Sequence, residues 1–362
     1  MDRRDFIKHT GAAAAAVAAV STGSAAARAE TSAAVQSAPY IGKATRELRL
    51  GAPWLQNGRG QDDSVRRLAQ LISTLSDGRL RIHVDAQPQS LNASATIDLH
   101  HTSGRDLVGL DPAFAFFAGL PGSSAMRPTY LNAWLTAGGG QSLWDDLGAR
   151  HGFKPLLSGH SGARAKLWSR LPLTTAEDFK GKRIAADAVS AGIVRGLGAE
   201  PVALSPTQQA AALAAGDIDA VEGGGTITGF GHDLHHAAKH CLRPGLSRSG
   251  FATVLTVRLE IWNDLRPAEQ TVIAAAAIQE FNTIIAENLS LARPLRNALA
   301  ERHGLVFSPI PADIAKLATA AADRWVADTA ASSPAARQIH MSYKAFRDSL
   351  PGVRRKAPPP IA

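Results

Sequence analysis

Apolar positions recur along this chain in two alternating periods. Period-two stretches read as strands: "RELRLGAPW" from Arg46, "GRLRIHVDA" from Gly78, "RDLVGLD" from Arg105, then "FKPLLSG" and "ARAKLWS" between Phe153 and Ser169. "KRIAAD", "AEPVAL" and "GDIDAVE" add three more between Lys182 and Glu222. Stretches with helical period lie between them. One runs from Asp62 through Ser76; others lie between Tyr130 and Arg150, broken by Gly138, Gly139 and Gly140. "TTAEDFKG" reads as a short helix with a Thr-to-Asp capping box, and Thr207 reads as the cap of a helix ended by Gly216. Strand-helix-strand order repeated this often predicts an α/β fold, mainly parallel sheets with helices on both faces.

Two helical patterns stand apart. The first starts at Pro267, a good first-turn residue, and continues to Gly304, about 36 residues or ~54 Å. A single helix of that length can span two domains; the alternative is two helices split at Pro294, which removes a backbone donor. The second, "SPAARQIHMSYKAFRDSL", opens on Ser333 and Pro334 and sets Ile339, Tyr343, Ala345 and Phe346 on roughly one stripe.

The first 29 residues do not belong to this alternation. Arg3-Arg4, then Phe6 and Lys8, precede a weakly apolar Ala-rich run that closes on Ala27-Arg28-Ala29. That is a twin-arginine export signal with its cleavage site, which places the mature protein in the periplasm. "TSAAVQSAP" after it is a linker over 30–43. The remaining chain of about 330 residues exceeds an average domain and predicts two. The apolar fraction, 45%, suffices for their cores. The formal charge is +8, of which the signal carries a small part. Basic residues are scattered, apart from Arg354, Arg355 and Lys356, so there is no stripe for nucleic acid. Cys241 is the only cysteine, which excludes an intrachain disulfide.

"DIDAVEGGG", residues 217–225, holds the main candidate chemistry. A short buried strand ends at Glu222 and is followed by Gly223, Gly224 and Gly225. Strand ends followed by glycine are where α/β proteins approach their ligands. His232, His236 and His240, at i, i+4 and i+8, would share a helical face. Three turns span ~12 Å, so only neighbouring pairs could chelate one ion, and no metal is assigned. His100-His101 reads as a helix end. There is no G-x-S-x-G, P-loop or H-E-x-x-H, and the glycine clusters lack the context of a dinucleotide site. No cofactor is expected, and the protein is read as a binding protein rather than an enzyme.

"LTTAEDFKGKRIAADAVSAGIVRGLGAEPVALSPTQQAAALAAGDIDAVEG" resembles the core of TRAP-type solute-binding proteins, the periplasmic subunits of tripartite ATP-independent transporters. "YLNAWLTAGGGQSLWDDLGARHG", "RSGFATVLTVRLEIWNDLRPAEQTVIAAAA" and "QIHMSYKAFRD" are similar to the subgroup that binds 2-oxo acids, so the resemblance covers most of residues 46–350. It implies a two-lobed periplasmic-binding-protein fold, with a ligand cleft between lobes and a long bracing helix. The lobes would be 44–163 with part of 250–285, and 164–249 with part of 286–330; 331–362 would be a C-terminal helix and tail. It further implies capture of a small organic anion, delivery to membrane permease subunits, and a homodimer built partly by the C-terminal helix. A repurposed or degenerate binding protein or sensor is the alternative, and an enzyme exported by the twin-arginine route a more distant one.

The departures from the family pattern define the expected site. In "KGKRIAA" the family's carboxylate-binding arginine is replaced by Ala185, with Arg183 two residues earlier on the same face. In "GHSGARAKLW" Arg164 stands where the oxo-acid subgroup has a cation-binding Gln, ahead of the tryptophan-bearing strand with Trp168. Glu222 is kept, but Gly223 replaces a tryptophan that packs on the substrate. The expectation is therefore that Arg164 anchors the anion without a metal and pairs with Glu222. Gly223 opens space, and Arg183 and Trp168 complete the ligand-binding set.

Overall fold

The computed structural model describes residues 45–54, 61–85, 97–162 and 164–350, the side chains of residues 61 and 62 excepted. The export signal, the linker over 30–43 and the basic residues after 350 lie outside the described residues.

The chain first builds β1 (Arg46–Gly51), β2 (Leu80–Val84), β3 (Leu99–Ser103) and β4 (Phe153–His160). It crosses to a second sheet for β5 (Lys166–Ser169), β6 (Arg183–Ala185), β7 (Glu200–Val202), β8 (Ala220–Gly223) and β9 (His240–Arg243). It returns for β10 (Ala252–Arg258) and crosses once more to end in β11 (Val306–Pro309). The first sheet has the order β2-β1-β3-β10-β4 and the second β11-β9-β5-β8-β6-β7. β1 is parallel to β2 and β3, and β6 is parallel to β7 and β8. The first strands after the first two changes of sheet are antiparallel to their neighbours: β5 pairs with β8 and β9, and β10 with β3 and β4, whereas β11 is parallel to β9.

Helices cover both faces of each sheet, as strand-helix alternation requires. They are α1 (Gln61–Leu75), α2 (Ala115–Ala118), α3 (Pro128–Ala137), α4 (Gly140–Arg150), α5 (Ala188–Gly196), α6 (Pro206–Ala215), α7 (Thr226–Gly231) and α8 (Leu234–Ala237). Then follow α9 (Leu259–Asp264), α10 (Pro267–His303), α11 (Ala312–Ala331) and α12 (Pro334–Ser349). Trp134, Trp144, Phe116 and Phe117 fill one side of the first sheet, and Leu50, Leu68, Leu255 and Ile273 the other. Phe179, Ile184 and Ile193 lie on one side of the second sheet, and Trp168, Ala185 and Val221 on the opposite side. No helix among the described residues is long and apolar enough to cross a membrane.

The long helix is single. α10 runs 37 residues and passes through Pro294 without interruption. Its first half buries Ile273, Ala276, Ala277 and Phe281 against the first sheet, while Leu299 packs under the second. Glu280 is fully buried on it, and Arg67 of α1 reaches across with a fork: Nη2 donates to Oε1 at 2.7 Å and Nε to Oε2 at 3.2 Å. Burial pushes the Glu280 carboxyl above the usual carboxylate range, and the fork pulls it back. Arg67→Ala is expected to lower the unfolding free energy by about 3 kcal/mol, because a buried carboxylate loses its partner. Urea denaturation at neutral pH measures this; a change below about 0.5 kcal/mol, the size of an ordinary surface substitution, would refute the role.

The two strand crossings touch each other under the middle of α10. Ser161 N–H donates to Phe251 O at 2.9 Å, and Phe251 N–H donates to Ser161 Oγ at 2.9 Å. Asn288 of α10 donates to His160 O at 3.4 Å. The contact is close enough that a Cβ on Gly250 would lie 1.9 Å from Gly162 O, so glycine is the only residue that fits there.

Several sequence expectations are corrected. "RDLVGLD" is not a strand; the chain turns after Ser103 into 3-10 turns at Asp106–Gly109 and Pro112–Phe114. The strand is Leu99–Ser103, buried at every position, so His100 and His101 are strand residues and not a helix end. A strand buried on both faces shows no alternation, which is why period two missed it. Thr207 does not cap α6. Ser205 holds the cap with a reciprocal Gln208 bond, and Pro206 takes the first turn. His232, His236 and His240 do not share a helix: Asp233, at φ +56°, breaks it, and the three fall at the end of α7, in α8 and at the start of β9. Two residues of the stripe on α12 face inward. Ile339 and Tyr343 are buried, Tyr343 stands edge-on to Trp134 at 5.2 Å, and its hydroxyl donates to Ser124 O at 2.7 Å. Ile339 and Tyr343 are thus used within the chain, while Ala345 remains exposed and Phe346 half-buried.

Candidate ligand-binding site

The carboxyl ends of strands from both sheets converge on one cavity of about 520 Å3. From the first sheet come Trp54, Thr102, Arg105 and Asp106; from the second come Asp187, Glu222, Gly223, Gly224 and His232, with Phe251 from the crossing. A crevice outside the carboxyl ends of strands is where α/β sheets bind ligands.

Arg105 is the only Arg or Lys among the described lining residues, and its side chain is 1% exposed. β3 ends at Ser103, Gly104 packs closely on Ala118, where a Cβ would lie 3.1 Å from its Cα, and the Arg105 guanidinium reaches the second sheet. Nη1 donates to Asp187 Oδ2 at 2.7 Å and to Ser190 Oγ at 3.2 Å. Nη2 donates to Ser249 O at 3.3 Å and Ser249 Oγ at 3.2 Å. The guanidinium lies 5.9 Å from the Phe251 ring centroid. Its Nε is buried without a hydrogen-bond partner, one donor still to be satisfied. Asp187 caps α5 by accepting from Ser190 N–H at 2.8 Å, so one carboxylate serves helix and arginine together.

Glu222 is 3% exposed. Its oxygens accept from Leu246 N–H at 3.0 Å, Ser247 N–H at 2.8 Å and Ser247 Oγ at 2.7 Å. Burial still pushes its carboxyl above the usual range, more than these donors lower it. Glu222 thus fastens the loop that carries Ser249, and through Ser249 it positions Arg105. The glycines beside it have a physical reason: a Cβ on Gly225 would lie 2.4 Å from Ser161 O, at the strand crossing. Asp106 opens into the cavity. It accepts from Thr102 Oγ1 at 2.7 Å and is pushed up by burial and by the nearby Asp187. His232 is driven down to about 4 by burial and is a neutral wall at pH 7.

The expected site residues divide. Glu222 and Gly223 line the cavity. Arg164 does not: it is exposed, and no guanidinium bonds Glu222, whose oxygens take backbone and hydroxyl donors instead. Arg183 is exposed at the start of β6, whereas the cavity lies past the strand's other end at Ala186 and Asp187, about 10 Å on. Ala185 is in the core. Trp168 is fully buried behind the cavity, tight under Gly229, where a Cβ would meet the indole at 2.2 Å. Arg105 was missed because it was placed inside a strand. A cation beside the ligand, as the resemblance implies for Glu222, does not suit a carboxylate whose two oxygens already accept three donors.

A two-lobed α/β frame with a walled cavity at facing strand ends defines a solute receptor. Residues 55–331 match the model of the bacterial extracellular solute-binding proteins of family 7, and the chain belongs to that family, the TRAP-type solute-binding proteins. Residues 1–20 match the twin-arginine translocation signal sequence; the protein is exported to the periplasm by that route and is not an enzyme. The chain is similar to a TRAP solute-binding protein of Bordetella bronchiseptica solved as a mixed-occupancy dimer with calcium and picolinate. Identity is 21%, coverage 84% of this chain and 92% of that one, with a TM-score of 0.77. A protein of Pseudoalteromonas atlantica with bound sodium and pyruvate matches at 22% identity, 84% and 94% coverage, and TM-score 0.75. A Bordetella pertussis receptor binding pyroglutamic acid matches at 18% identity, 83% and 100% coverage, and TM-score 0.70.

Proposed function

We propose that the cavity captures one small carboxylate, of the class that includes 2-oxo acids, and that the closed protein delivers it to a TRAP membrane permease. The observation that carries this reading is Arg105, a buried guanidinium that is the one fixed positive group among the described residues of the wall. A carboxylate leaving water needs such a partner, and a guanidinium offers it a planar fork. The volume supports a small organic acid, within the range of about 300–1,000 Å3 usual for small-molecule sites. Pyruvate and pyroglutamate, bound by the structural relatives, are the natural first probes. Ligand entry would be gated by rotation of the lobes about the strand crossings at Ser161 and Phe251.

The reading is tested by thermal unfolding of the mature protein against a panel of small acids, sugars and amines. At a hundredfold excess over Kd, a bound acid adds about 2.7 kcal/mol and so raises Tm by several degrees. Stabilisation by at least one carboxylate and by no neutral sugar or amine is the expected pattern. Stabilisation by sugars or amines alone would refute an anion site. No response to any acid, in protein whose cavity is shown by native mass spectrometry to be unoccupied, would mean that solute capture has been lost.

A further inference from the structure

Three histidines gather away from the cavity, at the far side of the helices that follow Glu222. His235 and His236 lie in α8, and His303 is the last residue of α10. The ring centroids of His235 and His236 are 4.0 Å apart, and His303 stands at 90° to His235 at 4.7 Å and near-perpendicular to His236 at 5.7 Å. One ring nitrogen from each can be chosen so that all three lie within 4.8 Å of one another. His235 is buried beside the Phe230 ring, at 4.8 Å, and is the fixed member of the group. His236 is exposed, and Asp233 Oδ1 lies 4.0 Å from its Nε2. His303 ends a 37-residue helix, where the backbone carbonyls favour positive charge.

We propose that His235, His236 and His303 form a site for one divalent transition-metal ion, with zinc as its simplest occupant. Imidazole nitrogens suit zinc, copper and nickel, and three of them leave the open fourth position of a tetrahedral ion. Nitrogens around zinc at 2.0–2.1 Å stand roughly 3.3 Å apart. Closing from 4.8 Å takes about 1.4 Å, within reach of side-chain rotation at His236 and His303. Asp233 is placed to orient the His236 ring from outside, as carboxylates do at histidine-metal sites. The consequence is a clip. α8 directly follows α7 and His232, which line the ligand cavity, and the ion would tie that segment to the end of the bracing helix. The site is separate from the ligand cavity and does not depend on what the cavity binds.

The test uses the exported chain without a histidine tag, stripped with chelator. Calorimetric titration with zinc sulfate is expected to show one ion bound with micromolar or tighter affinity and a raised Tm. Cobalt in its place should give the visible absorption of a tetrahedral site. His303→Gln and His236→Gln, both at solvent-accessible positions, should each weaken zinc binding at least tenfold, while His83→Gln in β2 leaves it unchanged. Wild-type protein that fails to bind zinc at that level overturns the proposal. So does zinc binding that survives both substitutions, which would show the three rings to be packing partners only.

Discussion

Arg105→Gln is expected to abolish measurable carboxylate binding, with an affinity loss of about 2–5 kcal/mol, or roughly thirtyfold to several-thousandfold. The guanidinium is buried, lines the cavity and has an unsatisfied Nε. Asp187 now accepts from one arm of the fork, Nη1, at 2.7 Å, so an incoming carboxylate competes with it or shares the arginine. Two variants separate these roles. Asp187→Asn removes the competing charge and should tighten binding. Arg105→Lys keeps the charge but loses the planar fork, so it should fall between wild type and Arg105→Gln. Calorimetric titration with whichever acid stabilises the protein measures all three, and urea denaturation checks that the variants fold. Chelator should leave binding unchanged, since Glu222 is committed to Leu246 and Ser247. Affinity unaltered in Arg105→Gln, or lost instead in Arg164→Gln, would place the anion elsewhere.

How this site could be read in the sequence depends on burial pattern more than on residue type. β8 is a short apolar strand that carries Glu222 next to its last residue and runs into glycines, so its place at the cleft was legible. The same rule applied to "LHHTSGR" would have found Arg105: a strand, then glycine, then a side chain at the carboxyl end. It failed there because Leu99–Ser103 is buried at all positions and contains two histidines and a threonine, which carry no periodic signal. The neighbouring "RDLVGLD" mimics a strand because one short turn buries Leu107 and Val108 together. The expected pair between Arg164 and Glu222 is not formed, for a different reason. That expectation transferred a family position without knowing that the loop after β9 would supply Glu222 with three donors. That loop is adjacent to β8 only through the sheet order, and no local pattern encodes it. The long helix was legible because its caps, Pro267 and Gly304, lie at its ends and both lobes reward its length. The inward turn of Ile339 and Tyr343 on α12 was not, since a stripe shows amphipathicity but not what covers it.

Stability is expected to fall steeply as pH drops from 6.5, because three histidines are buried as neutral rings. His101 and His160 are driven down to about 3, and His232 to about 4, in each case first by burial. Arg105 adds to the effect at His160, and His100 adds to it at His101. The unfolded chain protonates these rings below about 6.5, while the folded chain does not until pH 3–4. Their contribution to stability is therefore complete above pH 6.5 and is lost as pH falls toward the folded values. In that window the unfolded state binds up to three more protons, a slope of about 4 kcal/mol per pH unit. Glu222, Asp106 and Glu280 act with the opposite sign: their raised values penalise the folded state at high pH and relieve it on acidification. The net slope should therefore be below three protons. Urea midpoints between pH 7 and 5 measure it directly. His101→Phe, which keeps a ring against Trp54 but cannot titrate, should reduce the slope by about one proton. A slope that His101→Phe leaves unchanged would mean that this ring finds a proton and a partner in the folded protein.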